Sequence, residues 1–194
     1  MNKYLFIIIC FSFLNCKESE TKIENSESTI ENSESIKSNN KIFFDFDNVD
    51  YYFKDIEESE ILKEVRRLEG VDNESEEYNY LNLISENYPK KINDKNFIKN
   101  LLKFGYSKNQ IDKKYYDEIN SLFSETKCDS SFAAACVPVY RDILVFYKEE
   151  KIIGIAKICF TCRQFDIIGT KKDISYFGQC GGYEKLYEIL DSKH

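Results

Sequence analysis

The sequence predicts a single α+β domain: a helical N-terminal half packed on a C-terminal antiparallel β-meander of about three or four strands, closed by one helix. Three observations predict it. Apolar residues recur at helical spacing between Ile61 and Phe123. Two runs rich in β-branched and aromatic residues, Tyr140–Lys148 and Lys151–Phe160, are separated only by Glu149-Glu150, and a third, Gln164–Thr170, follows. Tyr183, Leu186, Tyr187 and Leu190 then return to helical spacing after Gly181-Gly182. A meander with helices against one face buries all of these apolar surfaces.

Taken in order, the segment 42–53 is aromatic and β-branched and begins with a strand. Asp55 and Glu58 have capping-box spacing. Acidic residues crowd the first turn after them and Lys63, Arg66 and Arg67 the last, which suits a helix dipole. Ile61, Leu62, Val65 and Leu68 form its apolar face, and Gly70 ends it. The segment 81–88 is a short helix stopped by Pro89. Phe97, Ile98, Leu101 and Leu102 mark another, ending near Gly105. Ser107 and Gln110 form a second capping box, before a helix through Ile111, Tyr115, Ile119, Leu122 and Phe123. The Glu149-Glu150 hairpin turn lacks the Asn or Gly that two-residue loops favour.

The N-terminus reads as an address. Lys3 precedes an eleven-residue apolar run, Tyr4–Leu14, too short for the roughly 20 residues of a membrane span. It suits the core of a signal peptide covering residues 1–15. Cys16 closes the run and the chain turns polar at once, the arrangement of a bacterial lipoprotein signal in which the cysteine becomes the lipidated first residue. Phe13-Leu14-Asn15 departs from the small residue usual just before that cysteine. Residues 16–40 follow as a tether, with IENSEST and IENSESI repeated in tandem. So polar a segment buries too little apolar surface to offset its ordering entropy. The domain itself is 41–194.

Composition is ordinary for a globular protein, with 42% apolar and 31% charged residues and a net charge of -7. Lys3 is the only charge before Cys16, and residues 17–40 hold six Glu and three Lys, so the domain from Lys41 onward carries -5. An acidic domain repels phosphate backbones, which excludes nucleic acid as a partner and argues against docking on anionic lipid.

Cysteine carries the strongest chemical signal. Beyond Cys16 the chain has Cys128, Cys136, Cys159, Cys162 and Cys180, all in its last third. Outside the inner membrane disulfides are the expectation, and an odd number leaves at least one thiol. A Cys128–Cys180 bridge would close a long loop. Cys159-Phe160-Thr161-Cys162 is a CxxC, with Lys157 and Arg163 beside it. As a redox pair it lacks the strand-to-helix setting that stabilises a thiolate, and no proline but Pro138 lies in this half. As half of a thiolate metal site it lacks a second close pair. Structural disulfides with a spare thiol therefore lead, and a thiol-redox or structural-metal role for Cys159 and Cys162 is the alternative.

The remaining motifs point to no chemistry. Asp45, Asp47 and Asp50 alternate as calcium ligands do, without the glycine or closing glutamate of a calcium loop. Gly178, Gly181 and Gly182 precede a helix, but no Lys-Ser/Thr follows as in a phosphate loop, and a turn suffices. The single histidine is the terminal His194, so a Ser or Cys nucleophile has no imidazole base. No catalytic residue and no cofactor is expected.

Tyr140-Arg141-Asp142, then KICFTC at 157–162, IIGT at 167–170 and Phe177-Gly178, resemble a pattern shared by a group of small uncharacterised bacterial lipoproteins. The resemblance covers roughly the last third of the chain. The group carries no assigned activity, so it implies no functional residue; it marks the hairpin and CFTC as family features. Arg141 and Asp142 read as a charge pair at a strand end. The expectation is a lipid-anchored envelope protein, at the outer membrane, acting as a non-enzymatic interaction module, an immunity-type lipoprotein being one version. Its partners would be the membrane, through the anchor, and another protein or envelope component.

Overall fold

The computed structural model of the chain describes residues 42–67, 75–129 and 131–191. The signal segment, Cys16, the tether, Gly70 and His194 lie outside these residues. The elements run β1 (Asn48–Phe53), α1 (Glu58–Arg67), α2 (Glu76–Ser85), α3 (Phe97–Lys103), β2 (Ser107–Gln110), a single 3-10 turn at Lys113–Tyr115, α4 (Tyr116–Leu122), β3 (Asp142–Lys148), β4 (Lys151–Cys159), β5 (Gln164–Ile168) and α5 (Gly182–Asp191).

The fold is mixed α+β, with an antiparallel sheet of five strands in the order β2-β1-β3-β4-β5. The expected meander, β3-β4-β5, forms three of its five strands. The N-terminal half supplies the other two: β1, within the segment 42–53 where a strand was expected, and β2, which was not expected. β3 lies at the centre and β1 beside it, pairing with β3 from Asn48↔Tyr147 to Phe53↔Asp142. β2 pairs with its other edge.

β2 corrects the second capping box. Ser107 and Gln110 lie in an edge strand, with Ser107 opposite Phe53 and Gln110 opposite Asp50. Gly105, at φ +83°, turns the chain out of α3, and the ladder to β1 then offers this segment backbone partners that a helix start would not. Lys108 reaches Asp50 at 2.8 Å. The cap role passes to Asp112, whose Oδ1 accepts the N–H of Lys114 at 3.0 Å. α2 also starts earlier than expected, because Ser75 caps it through the N–H of Tyr78 at 3.0 Å.

Helices cover both faces of the sheet, where the sequence suggested one. β3 shows why: Ile143, Leu144, Val145 and Phe146 are all fully buried, so the strand has no wet face. Leu144 and Phe146 join Val49, Tyr51, Ala156 and Ile158 under α4 and α5, around a cluster of phenylalanines. Ile143 and Val145 join Tyr52 and Ile155 under α2 and α3, with Leu83, Phe97 and Leu101. Gly154 belongs to the first of these layers by necessity, since a Cβ there would strike the ring of Phe44.

The β3–β4 hairpin closes at Glu149 and Glu150, as expected. Both take positive φ, 48° and 64°, the conformation that a two-residue hairpin loop requires. Asp47 supports it by accepting the Glu149 N–H at 2.8 Å. Asp45 faces Lys148 and Asp50 faces Lys108, so each aspartate of the alternating trio has its own protein partner. Arg141 Nε donates to the carbonyl of Ile56 at 2.7 Å, and Asp142 accepts the buried Tyr51 hydroxyl at 2.5 Å.

Candidate interaction surface at the cysteine cap

Four of the five domain cysteines form two bridges, Cys128–Cys180 and Cys136–Cys162, each with Cα atoms 6.1 Å apart. That separation lies within the range a disulfide spans. Cys159 is the free thiol and is buried. The two cysteines of the CxxC are therefore not joined to each other: Cys162 reaches across to Cys136. Among the described residues no group of three or more His, Cys, Asp or Glu side chains is placed to hold a metal ion.

The bridges pin one segment, 128–137, at both ends. β4 ends at Cys159, the chain reverses through Phe160–Arg163, and β5 begins at Gln164 opposite Cys159. Arg163 takes φ +50° in that reversal. The pinned segment lies along the reversal, with Ala134 N–H donating to the carbonyl of Cys162 at 2.9 Å. Two glutamine amides clamp it further. Gln164 donates to the carbonyls of Ala134 and Cys136 at 2.8 and 2.9 Å. Gln179 accepts the N–H of Phe132 and donates to its carbonyl, both at 3.0 Å. Gln179 stands next to Cys180 in the glycine-flanked turn before α5, which is what the Gly178–Gly182 segment does in place of cradling phosphate.

This tightly held backbone presents apolar side chains to water. Phe132 is 61% exposed and Val137 42%, and Ala133 and Ala135 between them are exposed too. Single exposed hydrophobes are commonplace; here four stand close together on one short, clamped segment. Beside it, the same chain reversal lines a recess of about 360 Å³ with Phe160, Arg163, Tyr183, Glu184 and Tyr187. The Phe160 and Tyr187 rings stand nearly perpendicular, 5.3 Å apart, and Arg163 pairs with Glu184.

Beneath the cap sits a buried cation that was not expected. Lys157, two residues before Cys159, is fully buried. Its ammonium donates to the Glu86 carbonyl, pairs with Asp166 at 3.1 Å and lies 4.5 Å from the centre of the Tyr140 ring. Burial pulls its pKa down to about 8, against the opposing pull of Asp166. The sign of the consequence follows from linkage. Between that value and the ordinary 10.5 the unfolded chain holds a proton that the folded chain has released, so this group adds stability as pH rises through the window. Below it the full cost of burying the charge applies. From pH 7 to 9.5 the gain is about 2 kcal/mol. Urea unfolding at the two pH values, with Cys159→Ser in both proteins so that no free thiol can exchange with the disulfides, measures it: Lys157→Met loses this gain. A wild-type-minus-variant difference that is the same at both pH values would mean that Lys157 stays charged throughout.

Comparison of the chain with protein families, with curated proteins and with solved structures found no match.

The cysteines expected as site residues thus divide by position. Cys128, Cys136, Cys162 and Cys180 hold the cap, Cys159 lies under it, and Cys16 is outside the described residues. The apolar loop was missed in the sequence, although Phe132-Ala-Ala-Ala-Cys-Val stands out there as an apolar run bracketed by cysteines.

Proposed function

We propose that this chain is a lipid-anchored envelope protein whose domain binds another protein through the Phe132–Val137 loop, without catalysing a reaction. The observation that carries the reading is an exposed apolar loop held by two disulfides and two glutamine clamps. Holding such a loop rigid in advance lowers the entropy cost of association, which is how a small contact gains affinity. A phenylalanine at its tip is the kind of anchor that fills a partner's pocket. The domain's charge of -5 selects a partner whose pocket has a basic rim and disfavours anionic lipid. Cys16 would carry the lipid and the 16–40 segment would set the domain off the membrane, at the outer membrane.

The test uses the full-length chain in its own envelope, with a photo-crosslinking residue in place of Ala133. The expected result is one protein adduct of defined mass in the membrane fraction. It disappears in the Phe132→Ser/Val137→Ser protein, whose melting temperature stays within about 2 °C of the parent because both side chains are exposed. Cys16→Ala moves the protein out of the membrane fraction. An adduct that survives the loop substitutions, or crosslinking to lipid alone, would overturn the reading.

A further inference from the structure

The free thiol and one of the two disulfides share one buried cluster. Cys159 Sγ accepts the N–H of Cys162 and the N–H of Val139, each at 3.4 Å. Cys159, Cys162 and Tyr140 form one buried cluster, against which Cys136 packs. Cys159 and Cys162 stand at the first and fourth positions of a tight chain reversal, a spacing at which Cα atoms approach within about 7 Å. That is within reach of a disulfide. Three sulfurs thus share one small pocket, with bonds enough for two of them.

We propose that the cap undergoes internal thiol–disulfide exchange, which moves the free thiol from buried Cys159 to Cys136 on the apolar loop. The Cys159 sulfur, as thiolate, attacks Cys162 Sγ. A Cys159–Cys162 bond forms, the Cys136–Cys162 bond breaks, and the electron pair leaves on Cys136. The proton given up by Cys159 ends on Cys136. One thiol and one disulfide stand on each side, so nothing is oxidised or reduced overall and no outside reagent is consumed. The two N–H groups aimed at Cys159 Sγ solvate the attacking charge.

The two states differ at the surface. With Cys136–Cys162 intact, the loop is closed at both ends and the one thiol is only 2% exposed. After exchange the CxxC is closed on itself, the loop keeps its Cys128–Cys180 end and its glutamine clamps, and a half-buried thiol stands between Ala135 and Val137. There it is open to alkylation, to oxidation, or to a mixed disulfide with a partner's cysteine. The inference rests on the loop reading only for its use: the exchange itself takes place without any partner.

The test therefore leaves partners out. The oxidised full-length protein is held at pH 8 with iodoacetamide, without denaturant, and its cysteine linkages are mapped by mass spectrometry. The expected label is on Cys136, in molecules where Cys159 and Cys162 are linked, while Cys128–Cys180 remains bonded and unlabelled. Cys159→Ser lowers the labelling rate at least about tenfold, because no attacking sulfur is left. In Cys136→Ser, Cys159 and Cys162 are found linked to each other. Labelling of wild-type protein on Cys159 would overturn the proposal. So would a Cys136→Ser protein that keeps the Cys128–Cys180 bond while both Cys159 and Cys162 accept label.

Discussion

Replacing Phe146 by alanine lowers the unfolding free energy by about 4 kcal/mol, the middle of the range for truncating a buried aromatic side chain. Phe146 is fully buried in β3, and its ring centroid lies 4.6 Å from that of Phe44, 4.8 Å from Phe123 and 5.2 Å from Phe46. The three neighbours come from different places. Phe44 and Phe46 belong to the segment before β1, and Phe123 caps the end of α4. Losing the ring removes the transfer free energy of its carbons and opens a cavity that these neighbours cannot close. Phe44 is wedged between the ring and Gly154, where even a Cβ would not fit. Phe43 is held by its backbone, since its N–H donates to the Phe123 carbonyl at 2.7 Å. Denaturant unfolding with an unchanged slope checks the value. A loss below about 1.5 kcal/mol would mean that the aromatic cluster collapses onto the gap.

The same strand shows how much of the fold could be read in advance. Ile143-Leu144-Val145-Phe146 contains no polar residue, and an unbroken apolar run is the mark of a strand buried on both faces. Helices on one face only were expected, although this run argues for cover on both. The hairpin and the closing helix were legible because their signals are local: Glu149-Glu150 between two β-rich runs, and helical spacing after paired glycines. β2 was not legible for the opposite reason. Ser107 and Gln110 match a capping box, and only the distant ladder to β1 decides that they form a strand. Lys157 is a similar case. It sits in phase with Ile155 and Cys159 on the inward side of β4, which a lysine argues against. What makes it tolerable is Asp166, directly opposite on β5, together with a carbonyl at the end of α2.

The cysteines divide along the same line. Their clustering, their odd number and a long Cys128–Cys180 loop are properties of the chain and were visible in it. That Cys162 joins Cys136 and leaves Cys159 alone is not, because it depends on where the 128–137 segment runs. Its course is set by contacts distant in sequence: Ala134 on Cys162, Gln164 on Ala134 and Cys136, and Gln179 on Phe132. The exposed loop went unread for that reason. An apolar run between cysteines looks like core until its clamps show that it is held facing outward.

Removing the Cys128–Cys180 bridge by the double substitution Cys128→Ser/Cys180→Ser costs about 4 kcal/mol, on the chain-entropy account of a loop of this length. The bridge spans a sequence separation of 52, which takes in β3, β4 and β5. Without it the unfolded chain regains the freedom of that whole stretch, while the native sheet keeps its ladder. The stability therefore changes mainly through the unfolded state, and the folded domain should keep its circular dichroism spectrum. The comparison is made by denaturant unfolding without reductant, with Cys159→Ser in both proteins so that the remaining Cys136–Cys162 bond cannot rearrange. Reductant then supplies the control, because it must abolish the difference between the two proteins. Locally, the substitution frees one end of the 128–137 segment and leaves Gln179 alone to hold Phe132. Hydrogen exchange at the Phe132 N–H consequently rises in the variant well before the sheet opens. If the loss were under about 1 kcal/mol and that N–H stayed protected, the bridge would be incidental, and the loop would owe its shape to the glutamine clamps and the Cys136 bond.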